Sequence, residues 1–556
     1  MRGRVDYPRL PWLGFALFGA MALVAGRVVW LSARPASAAG AAWEPSTEVL
    51  PQRGAMWDRR GRLVATESYD RYEVILEKAK LPDPAGFLAA ASPHLGARAD
   101  FVRQQLDDPM VKWVTVFSYA QREAADAVKA LAPAEAVFVR PLASRHYALG
   151  EAAGHLTGFV DANGNGEYGI EAAYNAQLIG VKGHTPGPFG TDPRAFVPPR
   201  EGTDLVLTID RDLQLAVWRI LAAHIGTQDA TGGTVIVLEP STGDVLASVS
   251  YPAYDPNNFG AADVNRYIDP AVGAYYPPGS VLKPLSLAAA IDGGILSPNS
   301  TYDDTATVFY QGVTIPNQDY TAHGAATMWQ MLQLSLNVGA VHVADTLGSA
   351  RFYRALDAFG LGRPTGIDVA GEAPGMIVQP GAEGWVGSNF AYNAFGQGLD
   401  VTPLQMAAAM ATIANDGVRM TPRVVRQLRA DGAPPHDVAP VPVAQVISAA
   451  TARTMRTMLE SVVAETATGA EMAHHTSGGK TGTSELFDSD GDGEDDLIAS
   501  FCGFFPVAKP RAVILVKLDR PVGERGSRVA APIFAEVAEV VAGVLGVVGD
   551  KAEGDE

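Results

Sequence analysis

The chain carries little positive charge and almost no cysteine. Among 556 residues, 43 are lysine or arginine and 61 are aspartate or glutamate, a formal net charge of −18 that argues against nucleic-acid binding through a basic surface. Cys502 is the single cysteine, so an internal disulfide and a metal site of cysteine spacing are both excluded. With 47% hydrophobic residues, the chain can bury large cores, and its length indicates more than one domain.

One long uncharged apolar run stands near the N-terminus, from Leu10 to Gly26, and residues 28–31 extend it beyond Arg27. Three arginines precede it, as on the cytoplasmic side of a membrane helix. We therefore predict a cytoplasmic segment over 1–9 and a single transmembrane signal anchor over 10–31 in the cytoplasmic (inner) membrane, with the remainder outside the cytoplasm. A cleaved signal peptide is the alternative, because residues 36–38 resemble a cleavage site.

Composition divides the remaining chain into two parts. Residues 43–183 contain strand, turn and Ala-rich helical patterns, and residues 184–201 are rich in proline and glycine, which predicts a linker. Residues 202–547 have strand pairs at both ends and long helical stretches between them. This order predicts an α+β fold in which an antiparallel sheet is flanked by helices. The polar tail, 548–556, is predicted to be disordered.

The segment YYPPGSVLKPLSLAAAI, residues 275–291, places a serine and a lysine at a predicted helix start. Proline is tolerated only in the first turn of a helix, so Pro284 puts the start near Ser280 and Lys283 three residues later on the same face. A serine beside a partly desolvated lysine is a candidate nucleophile with its base. The alternative is a helix-capping serine beside an exposed lysine.

Two further segments are weak signals when taken alone. Ser335 and Asn337 would point to different faces of a continuous helix, so they can serve one site only where the helix is interrupted. The stretch SGGKTGTS around Lys480 contains part of a phosphate-loop motif, but that motif needs glycine at position 474, which is histidine, and a following helix. We reject a phosphate loop and predict an edge strand whose lysine and hydroxyl groups hold a carboxylate.

For the histidine and cysteine side chains near this strand, we predict structural positions and no catalytic role. His474 and His475 precede the Lys480 stretch and are predicted to be exposed loop residues. Cys502 lies in a strand pattern, which favours a buried small hydrophobe over a nucleophile.

Together the three motifs resemble those of a known family. S-x-x-K, S-x-N and K-T-G in this order are similar to the acyl-transfer motifs of penicillin-binding proteins and serine β-lactamases. The resemblance covers about residues 43–545 and is closest to class B penicillin-binding proteins. Its longer matching segments include RGAMWDRRGRLVA (53–65), GNGEYGIEAAYNAQLIGVKG (164–183) and FGQGLDVTPLQMAAAMATIANDG (395–417). It implies an elongated pedestal domain of the dimerisation type over 43–183 and a penicillin-binding transpeptidase domain over 202–547.

The resemblance also implies a peptidoglycan D,D-transpeptidase that cross-links stem peptides through a serine acyl-enzyme. Ser280 would attack the donor peptide, and Lys283 would take the serine proton. Ser335 would pass a proton towards the leaving amine, and Asn337 would hold the substrate amide. Lys480 would set the local field and orient Ser335.

Substrate binding is implied for the strand after Lys480. Thr481, Gly482 and Thr483 would hold the terminal carboxylate, and the N–H groups of Ser280 and Thr483 would receive the oxyanion. The implied partners are peptidoglycan stem peptides, β-lactam antibiotics, lipid of the cytoplasmic membrane and a membrane-embedded glycan polymerase, without nucleic acid and without a cofactor. A serine β-lactamase, a D,D-carboxypeptidase and a non-enzymatic β-lactam-binding receptor remain as alternatives.

An acidic run, DSDGDGEDD, follows at residues 488–496. Asp488, Asp490, Asp492 and Asp496 fit the first half of a calcium loop. The position where a bidentate glutamate should stand is occupied by Ala499. A solvated hairpin tip is the alternative, because six like charges within nine residues repel one another.

Overall fold

A computed structural model describes residues 48–184, 197–466, 468–486, 496–522 and 526–551. The predicted cytoplasmic segment and anchor, 1–31, and residues 185–196 of the predicted linker lie outside these ranges. Across the described ranges, no helix is both long enough and apolar enough to cross a membrane.

The described part of the chain contains both short strands and strands of up to 15 residues. In chain order they are β1 (Glu48–Val49), β2 (Met56–Trp57), β3 (Leu63–Glu77), β4 (Trp113–Gln121), β5 (Val137–Tyr147), β6 (Phe159–Val160), β7 (Gly166–Glu167), β8 (Gly183–His184), β9 (Asp204–Leu207), β10 (Gly232–Glu239), β11 (Asp244–Tyr251), β12 (Thr301–Asp304), β13 (Thr307–Tyr310), β14 (Val313–Pro316), β15 (Gly324–Thr327), β16 (Val418–Met420), β17 (Val425–Arg429), β18 (His436–Asp437), β19 (Pro442–Gln445), β20 (Gly478–Leu486), β21 (Asp496–Phe505) and β22 (Ala512–Asp519).

The α-helices are distributed along the described residues. They are α1 (Pro84–Leu95), α2 (Ala99–Asp107), α3 (Arg122–Lys129), α4 (Gly154–Thr157), α5 (Gly169–Ala173), α6 (Asn175–Leu178), α7 (Arg211–Thr227), α8 (Pro270–Gly273), α9 (Lys283–Asp292), α10 (Met328–Gln333), α11 (Asn337–Leu347), α12 (Ser349–Ala358), α13 (Gly387–Ala394), α14 (Pro403–Ala414), α15 (Ala449–Glu465) and α16 (Gly526–Leu545). Short 3-10 turns connect several of them, including one at Gly279–Leu282.

The chain forms two compact units. One consists of residues 1–50 and 182–199, and its described part contains the antiparallel pair β1 and β8. The other consists of residues 51–181 and 200–556 and holds the remaining strands and the helices given above.

A five-stranded antiparallel sheet, in the order β11-β10-β22-β21-β20, forms the centre of the larger unit. Successive side chains of a strand point to opposite faces, and helices cover both faces of this sheet. Val235, Phe501 and Val516 pack against α7 and α16 on one face. Ile236 and Leu515 belong to the core that contains α9, α14 and α15 on the other. The predicted antiparallel sheet flanked by helices is confirmed.

A second sheet joins the regions on either side of the predicted linker. Its order is β18-β17-β9-β2-β3-β4, with β5 also paired to β3. Strands β2 to β5 come from the predicted pedestal, whereas β9, β17 and β18 come from the predicted transpeptidase region. These two regions are therefore connected by a shared sheet as well as by the chain.

Packing near the C-terminus differs from two predictions, that of a disordered tail and that of two exposed histidines. Residues of the predicted disordered tail hydrogen-bond to the segment before β20 as far as Lys551, while 552–556 lie outside the described ranges. His474 is exposed as predicted, but the prediction is wrong for His475, which is only 5% exposed and packs against Phe505. Its Nε2 also lies 3.3 Å from the carbonyl oxygen of Val547, which follows α16, a contact that local sequence cannot reveal. Cys502 is fully buried in β21, as predicted.

Candidate active site

The serine and lysine of the first motif lie on one tight turn. Gly279–Leu282 forms a 3-10 turn that runs directly into α9, whose first residue is Lys283. Residues three apart eclipse one another in a 3-10 turn, so Ser280 and Lys283 share a face. Gly279 has a φ of +57°, and its N–H donates to Gly396 O at 3.0 Å. The helix start predicted from Pro284 is confirmed.

The second motif lies at the predicted helix interruption. Helix α10 ends at Gln333, and Ser335 has a left-handed φ of +58° before α11 begins at Asn337. Lys283 Nζ donates to Ser335 O at 2.5 Å and to Asn337 Oδ1 at 2.8 Å, with Ser335 Oγ at 3.4 Å. The interruption therefore brings both side chains to one amine.

The orientation of the Asn337 amide is fixed from both ends. Its Oδ1 accepts from Lys283, and its Nδ2 donates to Pro316 O at 2.9 Å. Pro316 ends β14, so the hairpin of β13 and β14 supports the site. The second hydrogen of Nδ2 makes no hydrogen bond with any residue of the described ranges, which leaves one donor for a substrate carbonyl.

The third motif lies on β20, which is the edge of the central sheet, as predicted. Ser484 Oγ donates to Pro277 O at 2.6 Å and ties this strand to the turn that carries Ser280. A Cβ on Gly482 would lie 2.7 Å from Pro278 O and 2.5 Å from Ser500 Oγ. Only glycine allows β20 to lie this close to Pro278, which explains why the third motif has glycine at position 482.

Two threonines of β20 have the same orientation because residues two apart share a face of a strand. Thr481 and Thr483 are both half-buried. A Cβ on Gly279 would lie 2.7 Å from Thr483 O, so the backbone of Thr483 adjoins the turn that carries Ser280. Lys480 Nζ lies 3.2 Å from both the carbonyl oxygen and Oγ1 of Thr481.

Both lysines of the site are buried without a carboxylate partner in the described residues. The pKa of Lys283 is lowered well below its usual value, first because burial disfavours the charged amine and second because of the neighbouring charge of Lys480. Burial lowers the pKa of Lys480 to about 7. The lowered pKa makes Lys283 neutral, and so able to accept a proton, at a lower pH than an ordinary lysine, while Lys480 is divided between its two forms near neutral pH.

The structure brings most of the predicted site residues together, with two differences. Ser280 Oγ, half-buried, makes no hydrogen bond to Lys283 in the described residues. Lys480 contacts Thr481, and Ser335 is not among its hydrogen-bond partners there. Sequence reasoning missed Ser484 and Pro316, because their contacts depend on the approach of distant segments and have no local signal.

The candidate calcium loop is mostly outside the described part of the chain, which lacks residues 487–495. Its last member, Asp496, forms an ion pair with Arg520, with Nε and Oδ2 3.1 Å apart. In the ranges that the structure describes, no group of three or more histidine, cysteine, aspartate or glutamate side chains is placed to hold a metal ion.

Comparisons with known proteins identify the family. The penicillin binding protein transpeptidase domain matches residues 233–539, and the penicillin-binding protein dimerisation domain matches residues 48–186. Stage V sporulation protein D of Bacillus subtilis is 30% identical over 523 residues, covering 91% of this chain and 80% of that protein. Peptidoglycan D,D-transpeptidase FtsI of Escherichia coli is 27% identical over 543 residues, covering 93% and 88%.

A solved structure agrees with these matches. Penicillin binding protein 3 from Mycobacterium tuberculosis, complexed with ampicillin, has a TM-score of 0.71 at 26% identity, covering 91% of this chain and 98% of that chain. The first two motifs also meet at the buried amine of Lys283, and the third lies on a strand that is tied to the turn carrying Ser280. The chain therefore belongs to the penicillin-binding protein family, as a peptidoglycan D,D-transpeptidase of the serine type.

Proposed function

We propose that Ser280 is the nucleophile of this transpeptidase and that Lys283 is its base. The supporting observation is the placement of Lys283 Nζ, which is fully buried and held by both Ser335 and Asn337. An amine in this position has a lowered pKa and can take the hydroxyl proton of Ser280. Rotation of the serine side chain on substrate binding brings its Oγ to the amine, since catalytic hydrogen bonds often tighten only in the complex.

The acylation step has a complete proton balance. Ser280 Oγ bonds to the penultimate D-Ala carbonyl of a donor stem peptide while its proton moves to Lys283. Collapse of the tetrahedral intermediate breaks the bond to the terminal D-Ala, whose amine receives a proton from Lys283 through Ser335. The N–H groups of Ser280 and Thr483 receive the oxyanion, and each such donor contributes about 3 kcal/mol to stabilising the transition state in related enzymes.

Substrate binding in this proposal uses β20 and α11. Thr481 and Thr483 hold the terminal carboxylate of the donor, Gly482 allows the backbone to come close, and protonated Lys480 supplies the positive field. The free N–H of Asn337 Nδ2 binds the substrate amide. The amine of a second stem peptide then attacks the acyl carbon, the bond from that carbon to Ser280 Oγ breaks, and the proton lost by the amine passes through Lys283 to Ser280 Oγ as the new cross-link forms.

Labelling of the full-length protein with a fluorescent penicillin tests the assignment of the nucleophile. Ser280→Ala is expected to abolish the covalent label, whereas Ser286→Ala, a matched change of a buried serine in α9, is expected to keep it. Retention of the label in Ser280→Ala would refute the assignment. Release of the wild-type label within seconds would instead indicate a serine β-lactamase, and absence of cross-linking with labelled stem peptides would indicate a receptor.

We further propose that residues 10–31 anchor the enzyme in the cytoplasmic membrane as a single span, with the catalytic part outside. The uncharged apolar run Leu10–Gly26 and the arginines before it support this placement. Membrane lipid and a membrane-embedded glycan polymerase are the partners that such an anchor would meet. Release of the protein from membranes by salt alone, without detergent, would contradict the anchor.

Calcium binding by the acidic run 488–496 stays a hypothesis. Asp488, Asp490 and Asp492 support it, and Ala499 argues against it. Calorimetric titration of the protein with calcium decides the matter, because the absence of binding heat at millimolar calcium would leave the solvated hairpin tip as the explanation.

A further inference from the structure

The end of the chain holds the segment that leads into β20. Asp550 accepts two hydrogen bonds from Thr476, from its N–H at 2.7 Å and from its Oγ1 at 2.6 Å. The N–H groups of Asp550 and Lys551 both donate to His474 O, at 3.1 and 3.3 Å. Lys551 Nζ donates to Met472 O at 2.6 Å. We call residues 546–551 the C-terminal clasp and residues 472–476 the lead-in segment.

The lead-in segment is also tied to the central sheet and to α16. Thr476 Oγ1 accepts from the N–H of Val507, two residues beyond β21, at 2.9 Å. The N–H of Ala473 donates to Glu539 Oε1 of α16 at 2.8 Å. Thr476 is therefore a junction where the clasp, the sheet and the lead-in segment meet through one side chain.

This junction lies very close to the catalytic strand. Strand β20 begins at Gly478, two residues after Thr476, and reaches Lys480 two residues later. Within the described ranges β20 pairs only with β21, because it is the edge of the sheet. An edge strand has ladder hydrogen bonds on one side only, so its end opens more readily than that of a central strand.

We propose that the C-terminal clasp positions the carboxylate-binding strand and that Asp550 is its principal positioning residue. By fixing Thr476, the clasp keeps the first residues of β20 against β21, and this holds Thr481 and Thr483 at the distance from Ser280 that the substrate carboxylate requires. The proposal rests on the proposed roles of Ser280 and β20. Asp550 touches no reacting atom and acts only through the strand.

Two reagents separate positioning from general stability. A fluorescent penicillin carries a carboxylate and needs both Ser280 and the threonines of β20. A fluorophosphonate has no carboxylate and phosphonylates an active-site serine, with fluoride as the leaving group. Asp550→Ala in the full-length protein is expected to slow penicillin acylation about three- to tenfold, because two hydrogen bonds at an exposed site are lost. Fluorophosphonate labelling is expected to change less than twofold. Asp550→Asn, which keeps one acceptor, should lie between wild type and Asp550→Ala.

The chain offers a closely matched control. Asp292 also accepts from a backbone N–H, that of Ser448 at 2.7 Å, and from a threonine hydroxyl, that of Thr451 at 2.9 Å, at the start of α15. Asp292→Ala therefore removes the same kinds of hydrogen bond away from the lead-in segment. It is expected to lower the thermal unfolding midpoint as much as Asp550→Ala without changing penicillin acylation.

A double-mutant cycle identifies the contact itself. Thr476→Val removes the hydroxyl that donates a hydrogen bond to Asp550. The double variant Thr476→Val with Asp550→Ala should therefore slow acylation by less than the product of the two single effects. Unchanged penicillin acylation in Asp550→Ala, equal slowing of both reagents, or an equal effect of Asp292→Ala overturns the proposal. Persistence of penicillin labelling in Ser280→Ala would instead overturn the proposed function, so the two failures are distinguishable.

Discussion

Asn337→Asp tests whether the base of this enzyme is a neutral lysine. The Oδ1 atom of Asn337 lies 2.8 Å from Lys283 Nζ, so the substitution places a negative charge at hydrogen-bond distance from the amine. The wild-type site lowers the pKa of Lys283 through burial and through Lys480. A carboxylate at this position opposes both causes, because an opposite charge favours the protonated amine.

The size of the effect follows from the distance. At 2.8 Å, a pair of unit charges attracts by about 6 kcal/mol at an effective dielectric constant near 20, and desolvation of the new carboxylate offsets part of this. Opposite charges this close typically change a pKa by about 1 to 3 units. Each unit by which the new pKa exceeds the assay pH leaves about tenfold less neutral base, so acylation at a fixed pH below the new pKa should fall, by at most about 1000-fold.

The assay is the rate of penicillin acylation of the full-length protein as a function of pH. Because the pKa of the base rises in Asn337→Asp, its acylation should recover as pH increases, with the rising limb displaced to higher pH by about 1 to 3 units. Asn337→Ala is the control, since it removes the hydrogen bond without adding charge and should slow acylation without that displacement. If the acylation rate of Asn337→Asp rises over the same pH range as that of the wild type, the assignment of neutral Lys283 as the base is refuted.

Two more substitutions test the strand that carries the third motif. Lys480→Met should abolish acylation and raise the thermal unfolding midpoint at pH 7, because burial lowers the amine's pKa from 10.5 to about 7 at a cost of about 5 kcal/mol at most. Between about pH 7 and 10.5, Lys480 is protonated in the unfolded chain but mostly neutral in the folded protein, so the stability of the wild type rises with pH through this window. The difference in stability between Lys480→Met and the wild type should therefore shrink as pH rises, which calorimetry at several pH values measures. Gly482→Ala should reduce penicillin labelling more than tenfold, because its Cβ would lie 2.7 Å from Pro278 O, and wild-type labelling of a folded Gly482→Ala protein would contradict the close approach of β20.

Local sequence was sufficient to predict the parts of the site that depend on helix boundaries. Proline is disfavoured inside a helix, so Pro284 placed Ser280 and Lys283 at a helix start. The two-residue spacing of Ser335 and Asn337 required an interruption. Both features are present in the structure.

Contacts between distant segments could not be predicted in this way. The hydrogen bond from Ser484 to Pro277 joins residues 207 positions apart, and the bond from Asn337 to Pro316 depends on a hairpin from another part of the chain. The burial of His475 has the same origin, because the covering residues follow α16. The sheet shared by residues on both sides of the predicted linker was also missed, since the pairing of Met56 with Leu205, 149 positions apart, has no local signature.

In the proposed mechanism, the two buried lysines link substrate binding to base strength. Lys480, with a pKa near 7, is only partly protonated in the free enzyme, and a carboxylate held by Thr481 and Thr483 favours its protonated form. The charge on Lys480 in turn lowers the pKa of Lys283, so arrival of the anionic substrate keeps the base neutral at the moment when Ser280 must lose its proton. Lys480→Met removes this link as well as the binding charge. Its failure to acylate even at saturating penicillin would show that Lys480 acts on the chemistry and not on binding alone.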